Sequence, residues 1–591
     1  MCGIFALFNY KFNNYTNCDY DYNIDYINNE FMKGQSRGPE CSKLETQYDQ
    51  MVLGFHRLAI NGLNEQSNQP LVINDIVLIC NGEIYNYKLL YKYMKIEPIT
   101  GSDCEVIIHL YIKYGIEQTL TMLDGVYSFI LYDNRTTFAS TRKVYVARDP
   151  FGVRPLYILK NIDVPNTLFG FASELKCLVK FCNDNPLHSI NQFQPGTYSI
   201  FSFSNSIPDI WSVEKENIVY MMPSFSHNWI EYVNTGTETH RIYNTWVTIS
   251  RYLNNAVTKR CLTTERQVAC LLSGGLDSSL IAALVNNFNK TNGNTHQLET
   301  YSIGLEGSED LKYARIVANY LDTKHTEIIV TETEMFEIIP EVIKAIESYD
   351  TTTVRASIGN YLLGKYISTH SEAKVVFNGD GSDELLGGYL YMNMCPDDIE
   401  FDKETRRLLK DIHMFDVLRS DKSISSHGLE PRTPFLDKNF VNLILSIPPY
   451  FRNHKHYYKF EPNDTCVEKY ILRNSFTSYN FIDHNNKQIL PDEILWRKKE
   501  AFSDGVSSHG RSLYTILQEH ICNKLNKDIN EKMVGNENNN VFEPNITTEK
   551  YYYKMIFEQL YPKCNDVVPY FWMPKYIDSD DPSARTLSIY K

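Results

Sequence analysis

A continuous apolar run, Val268-Ala269-Cys270-Leu271-Leu272, leads directly into Ser273-Gly274-Gly275-Leu276-Asp277-Ser278-Ser279, and no other feature constrains the fold as much. A strand without polar alternation is one buried on both faces, as in a parallel sheet. The segment that follows carries Leu280, Ile281, Leu284, Val285 and Phe288 at helical spacing, which places the two glycines between a strand and a helix. The alternation then repeats. Thr300 to Leu305, Glu327 to Val330 and Lys374 to Phe377 read as strands, and residues 311–321 and 335–347 read as helices. The pattern predicts an α/β doubly wound parallel sheet whose ligands bind at the carboxyl ends of its strands.

The N-terminal third has a different texture. Val52 to Phe55, Ile76 to Cys80 and Tyr127 to Tyr132 are short, β-branched and aromatic, as strands are. Cys104 to Tyr114 reads as a helix with Val106, Ile107, Leu110 and Tyr111 on one face. A layered α+β domain fits this pattern. At 591 residues the chain is too long for one core, and a looser stretch around Ser204-Asn205-Ser206-Ile207-Pro208 suggests the division. Domains over 1–210 and 211–591 are expected. No 20–50-residue repeat is visible, so a solenoid is not supported.

Composition removes several classes of function. A formal net charge of −14 disfavours nucleic-acid binding, which needs a basic face. No run of about 18 apolar residues exists to cross a membrane, and the start, Met1-Cys2-Gly3-Ile4-Phe5, lacks the basic and long apolar regions of a signal peptide. The end, Ser588-Ile589-Tyr590-Lys591, carries no lipidation or address signal. Cytoplasmic residence is expected. Thirteen cysteines without C-x-x-C pairs indicate neither a zinc ribbon nor a disulfide framework.

Cys2 is the exception among them. Followed by Gly3, it becomes the N-terminal residue once Met1 is removed. Its α-amine, with a reference pKa of about 7.7–8.0, is then matched to a thiol near about 8.5 and can serve as its base. Alone, a penultimate cysteine is incidental. Three other segments give it company. His56-Arg57-Leu58-Ala59-Ile60-Asn61 offers a guanidinium suited to a carboxylate. Asn81-Gly82-Glu83 offers an amide and a backbone N–H suited to an oxyanion. Gly101-Ser102-Asp103 offers a carboxylate before a helix. Singly, Asp103 is better read as a helix cap and Arg57 as a surface ion pair; together they are better read as a site.

The glycine heptad suits anion binding, since glycines let the backbone approach closely and a helix N-terminus favours negative charge. It is not a Walker loop, because no Gly-Lys-Ser/Thr follows. A bare Gly-Gly would read only as a turn; the full heptad after a buried strand is more specific.

Two resemblances join these fragments. Cys2-Gly3-Ile4, Ser36-Arg37-Gly38-Pro39, the Arg57, Asn81 and Asp103 segments, Ala147 to Tyr157 and Ala172-Ser173-Glu174-Leu175-Lys176 resemble the N-terminal-nucleophile glutamine amidotransferase family across residues 1–200. The resemblance implies a layered α/β/β/α sandwich and a γ-glutamyl thioester on Cys2. It also implies an oxyanion hole from Asn81 and Gly82, and glutamine held by Arg57, Leu58, Ala59, Ile60, Asn61, Glu83 and Asp103. The heptad resembles the pyrophosphate loop of ATP pyrophosphatases. Tyr349 to Ser357, Asn378-Gly379-Asp380-Gly381-Ser382-Asp383-Glu384, Gly428 to Asp437 and Trp496 to Gly505 are similar to the asparagine synthetase family. That resemblance implies ATP contacts at Leu272, Ser273, Gly274, Gly275, Asp277, Ser278, Ser279, Ile303, Asn378 and Gly379. It further implies Mg2+ on Asp277 and Asp383, and Arg355 and Lys499 facing the leaving pyrophosphate. Asp380 would handle protons. The substrates would be glutamine, aspartate and ATP, and a homodimer is compatible with the resemblance.

Two departures stand out. Asp380 replaces the family's usual Glu, shortening the reach by roughly 1.5 Å, and Asn378 replaces a more usual Ser. Segments 204–240 and 524–550 carry none of these motifs and receive no role. The N-terminal half alone would also suit amidotransferases that make phosphoribosylamine or glucosamine phosphate, but these do not adenylate. A β-lactam-forming relative would not need Cys2. A retired scaffold would have lost the nucleophile or the cations, and both are present.

Overall fold

The computed structural model describes residues 1–591 except 12–21, 49, 136–141, 162–166, 205–209, 222–237, 295, 460–466, 500–504, 508–510, 533–545 and 580–591. The expected Ser204 to Pro208 loop, the Glu500 to Asp504 part of the Trp496 segment and the C-terminal Ser588 to Lys591 therefore lie wholly or largely outside the described residues.

The first domain is built on two six-stranded antiparallel sheets. In one, Gly3–Phe8 runs between Phe169–Ala172 and Met51–Arg57. Alternation decides its packing. Ile4, Ala6 and Phe8 face the second sheet and meet Ile79, Ile130, Val146 and Trp211. Phe5 and Leu7 face outward, in the same apolar cluster as Phe31 and Phe181 from flanking helices. On the far side, Leu78, Cys80 and Phe129 of the second sheet pack with Ile107 and Leu110 of helix Val106–Met122. The result is the expected four-layer sandwich, with Cys2 at the entrance of an interior strand.

The second domain holds a five-stranded, wholly parallel sheet in the order Lys324–Ile329, Glu299–Gly304, Val268–Leu271, Val375–Phe377, Glu430–Arg432. Successive strands run outward from Val268–Leu271 on one side, then the chain crosses to the other. The reversal leaves a crevice at the carboxyl ends of Val268–Leu271 and Val375–Phe377.

Three boundaries differ from the sequence reading. Strand Ile210–Val219 pairs with Thr197–Ser204, so the first domain's sheet continues past residue 210. The helix expected over 335–347 is two, Glu332–Glu337 and Ile339–Ile346. The first opens on a Thr331–Glu334 capping box, and Pro340 begins the second. The helix expected from Cys104 starts at Val106 and is broken by Gly115 at φ +77°.

Gly274 shows why the loop needs glycine. Its φ is +72°, and a Cβ there would lie 2.4 Å from the Ala314 nitrogen. Gly274→Ala should cost more than about 2 kcal/mol through left-handed strain and overpacking. An unchanged melting temperature for that variant would contradict this packing.

Candidate active sites

Cys2 Sγ lies 3.5 Å from the Leu58 carbonyl oxygen, and Arg37 Nε donates to the Cys2 carbonyl at 2.8 Å. Met1 precedes it and is buried. Burial pushes the Met1 amine down to about 5 and pushes the Cys2 thiol up.

Asn81 and Glu83 sit two residues apart on strand Ile76–Ile84 and so share a face. The Asn81 amide nitrogen is 3.3 Å from Ser173 Oγ, which accepts the Ile4 N–H at 3.1 Å, while Asn81 Oδ1 is buried without a hydrogen-bond partner. Turning the amide lets the Ser173 hydroxyl donate to Oδ1 and frees the NH₂ to serve as an oxyanion donor. Gly82 admits no side chain, because a Cβ would meet the Val126 carbonyl oxygen at 2.5 Å.

Glu83 and Asp103 form a buried acidic pair bridged by Asn61, whose Nδ2 donates to Glu83 at 2.6 Å and reaches Asp103 at 3.5 Å. Burial pushes Asp103 up to about 6 and Glu83 well above the usual carboxylate range. A cationic ammonium is the natural complement to such a pair. Arg57 points elsewhere than expected. It braces the loop that follows it, donating to Asn64 O at 3.0 Å, to Asn68 Oδ1 at 2.6 Å and to Gly62 O. These contacts use only part of its five donors. Ala59 and Ile60 are engaged through their backbones, with Glu40 and Arg266 on the former and Glu265 on the latter.

The second site is the crevice of the parallel sheet. Leu272, Ser273, Gly275, Asp277, Ser278, Ile303, Asn378, Gly379, Asp380, Asp383 and Lys499 all line it. Gly379 lies against the heptad so closely that a Cβ would stand 2.8 Å from the Asp277 backbone. Lys469 Nζ lies 2.6 Å from both Asp277 Oδ2 and Asp383 Oδ1, and Lys499 lies 2.5 Å from Asp383 Oδ2. Burial alone would raise the Asp383 pKa, but the two ammonium groups hold it well below the usual range. Asp380 is pushed up by burial, with Arg419 3.6 Å away acting against the shift.

Three expected contacts are absent from the crevice. Thr352, Ala356, Asn360 and Leu363 form its stripe on helix Thr351–His370. Arg355 lies about 100° round from Ala356. Its guanidinium instead makes a two-pronged pair with Glu549, beneath the Tyr514 ring. Arg355 therefore does not line the crevice. Gly274 packs on Tyr313 and Ala314, and Ser279 is fully buried, so neither lines the crevice.

A glutamine amidotransferase domain model matches residues 1–211, and an asparagine synthase model matches 248–398 and 393–578. Proteins named glutamine-hydrolysing asparagine synthetase resemble the chain from end to end. The Gallus gallus protein is 39% identical over 597 residues, the Cricetulus griseus protein 38% and the Homo sapiens protein 37%; each alignment covers 100% of this chain and 99% of the relative. The chain belongs to the glutamine-hydrolysing asparagine synthetase family.

For a member of that family, the sequence reading overlooked Lys469, Arg419 and Asp416, and it quoted Ser173 within a motif without giving it a role. Lys469 stands in Glu468-Lys469-Tyr470, far from any recognised motif, and only the fold brings it to Asp277. Arg419, which lines the crevice, pairs with Asp416 at 2.5 Å, and its buried Nε has no hydrogen-bond partner.

The acidic pair generates a pH prediction. A carboxyl with a raised pKa is protonated below it and then cannot hold an ammonium. The kcat/KM for glutamine should rise with pH through about 6. Initial rates between pH 5 and 8 check this, and a profile flat across that window would remove Asp103 from amine binding.

Proposed function

We propose that the protein hydrolyses glutamine at Cys2 and uses the ammonia, with ATP, to convert aspartate into asparagine, AMP and pyrophosphate. The observation that carries the reading is the pairing, in one chain, of an acid-lined thiol site with a glycine-loop crevice ringed by lysines. Removal of Met1 gives Cys2 a free amine. Because Met1 is buried in the fold, that removal would precede folding. The thiolate then attacks the glutamine amide carbon, Asn81 and Gly82 receive the oxyanion, and ammonia leaves with a proton supplied by the Cys2 amine. Water hydrolyses the thioester and releases glutamate. Glu83 and Asp103 hold the substrate ammonium, and the remaining donors of Arg57 hold its carboxylate.

In the crevice, Leu272 and Ile303 offer apolar walls to the nucleotide, and the heptad backbone faces its phosphates. Asp277 and Asp383 converge on one cation, Lys469 Nζ, at 2.6 Å each. This donor set suits Mg2+, which would neutralise phosphate charge when bound. Lys499 and Lys469 supply positive charge as pyrophosphate departs, in place of Arg355. Arg419, with unused donor capacity, suits an aspartate carboxylate, and Glu384 and Asp416, which both line the crevice and both accept from the Tyr389 hydroxyl, suit its ammonium. The aspartate β-carboxylate attacks the α-phosphorus to give β-aspartyl-AMP, which ammonia then opens.

Cys2→Ala should abolish glutamine hydrolysis while pyrophosphate release with ammonium salts persists. Glutamine hydrolysis by that variant would sink the nucleophile assignment. Asp380→Glu should retain or raise turnover, because the longer carboxylate reaches further into the crevice. Asp380→Ala should lose about 100-fold, the usual scale for a proton-handling group. Full turnover by a stable Asp380→Asn would instead make Asp380 structural.

A further inference from the structure

Helix Asp416–Ser425 belongs to the second domain, is polar in sequence and has most of its residues buried. At about 100° per residue, Asp416, Arg419 and Ser420 fall on one side, and Asp421, Lys422 and Ser425 on the opposite side. The first side faces the synthetase crevice. Asp416 and Arg419 line it, Arg419 sits 3.6 Å from Asp380, and the Ser420 hydroxyl accepts Asn378 Nδ2 at 2.6 Å.

The second side reaches into the glutaminase domain. Asp421 pairs with Arg37 at 2.6 Å, and Ser425 Oγ accepts a second Arg37 nitrogen at 2.9 Å. That same guanidinium donates through Nε to the Cys2 carbonyl. Lys422 Nζ donates to the Ser173 carbonyl at 3.4 Å and pairs with Glu347. Glu347 in turn accepts the Leu175 and Lys176 N–H groups at 2.7 and 3.0 Å. Ser173 is the residue whose hydroxyl meets Asn81. Both the nucleophile and the oxyanion donor of the first domain thus rest, through one intermediate residue each, on this helix.

Building on the function proposed above, we infer that Lys422, with Asp421 and Ser425, positions the glutaminase machinery from the synthetase domain. Glutamine chemistry is then efficient only when the two domains are docked. The residues are positioning residues, since none touches the reacting atoms.

The test is Lys422→Met in the full chain, with glutamine hydrolysis and ammonium-dependent pyrophosphate release measured side by side. Glu347 keeps Lys176 at 3.5 Å and two backbone N–H donors, so the substitution does not strand its charge. The kcat for glutamine hydrolysis should fall about tenfold or more as the oxyanion donor loses its support. KM for glutamine should stay within about twofold, because the amine- and carboxylate-binding groups are untouched. Ammonium-dependent synthesis should be retained. Unchanged glutaminase kcat, or parallel loss of both activities, would overturn the inference. Should Lys422→Met fail to fold, Ser425→Ala removes one hydrogen bond and no charge. It should lower glutaminase kcat about threefold with the same split, and no change would count against the inference. If the unmodified chain hydrolysed no glutamine, the functional reading itself would fail and this inference with it; loss confined to the variants separates the two.

Discussion

The structure depends above all on a buried array of charges where the two domains meet. Arg37, Glu174 and Lys176 come from the first domain, and Glu347, Asp421 and Lys422 from the second; all but Lys176 are almost fully buried. Taking such groups out of water costs several kcal/mol each, and only close pairing offsets that cost. Pairing is close. Lys176 stands 2.7 Å from Glu174, Arg37 2.9 Å from Glu174, and Lys422 contacts both Glu174 and Glu347. Burial by itself would raise the Glu174 pKa, yet Lys176, Lys422 and Arg37 together hold it far below the usual range. An apolar interface could slide by an ångström at little cost. This one cannot, because any displacement strands a charge. The domain arrangement is therefore specific, which is what a shared helix with two working faces requires.

The array also explains how a short, polar segment becomes a buried helix. Asp416-Val417-Leu418-Arg419-Ser420-Asp421-Lys422-Ser423-Ile424-Ser425 has no wide apolar stripe, and by pattern alone it reads as a surface element. Its partners in the first domain come from more than 200 residues away in sequence, at Arg37, Arg154 and Ser173. No local rule reports them. The elements that were legible are those with a local cause. Val268 to Leu271 is a strand buried on both faces, the heptad is the turn after it, and the β-branched run Ile76 to Cys80 is the first part of strand Ile76–Ile84. The ends of elements were less legible, as at Pro340 and Gly115, where a single residue breaks a longer period.

The candidate sites divide the same way. Asn81, Gly82 and Glu83 are contiguous in sequence, and the fold brings Asp103 to them, where it accepts the Ile84 N–H at 2.6 Å. Arg355 shows the limit of reading by motif. Its segment lies where expected, but the Arg355 guanidinium is taken up by Glu549, while Thr352 and Ala356 of the same helix line the crevice. The positive charge beside Asp277 and Asp383 comes from Lys469 and Lys499, which reach it from about 190 and 220 positions further along the chain. A chain of net charge −14 still concentrates cations where a polyphosphate would lie, because its fold gathers them rather than its composition.

Asp380 fits this account. One methylene shorter than glutamate, it depends more on what surrounds it. Its backbone N–H donates to Asn378 Oδ1 at 3.3 Å, and Asn378 in turn donates to Ser420. The second departure from the family pattern, Asn378 for Ser, thus supplies a link between the Asp380 turn and helix Asp416–Ser425. A serine at 378 has one heavy polar atom and could not accept from Asp380 and reach across to Ser420 with separate atoms. Gly381, at φ +93°, fixes the direction of the turn. The two departures are neighbours in structure, and the longer polar side chain at 378 holds the backbone of the turn that carries Asp380. That anchor lies on the same helix that holds Cys2 and Asn81 from its other side, so the two reactive centres rest on a common support about one helix diameter, roughly 10 Å, thick.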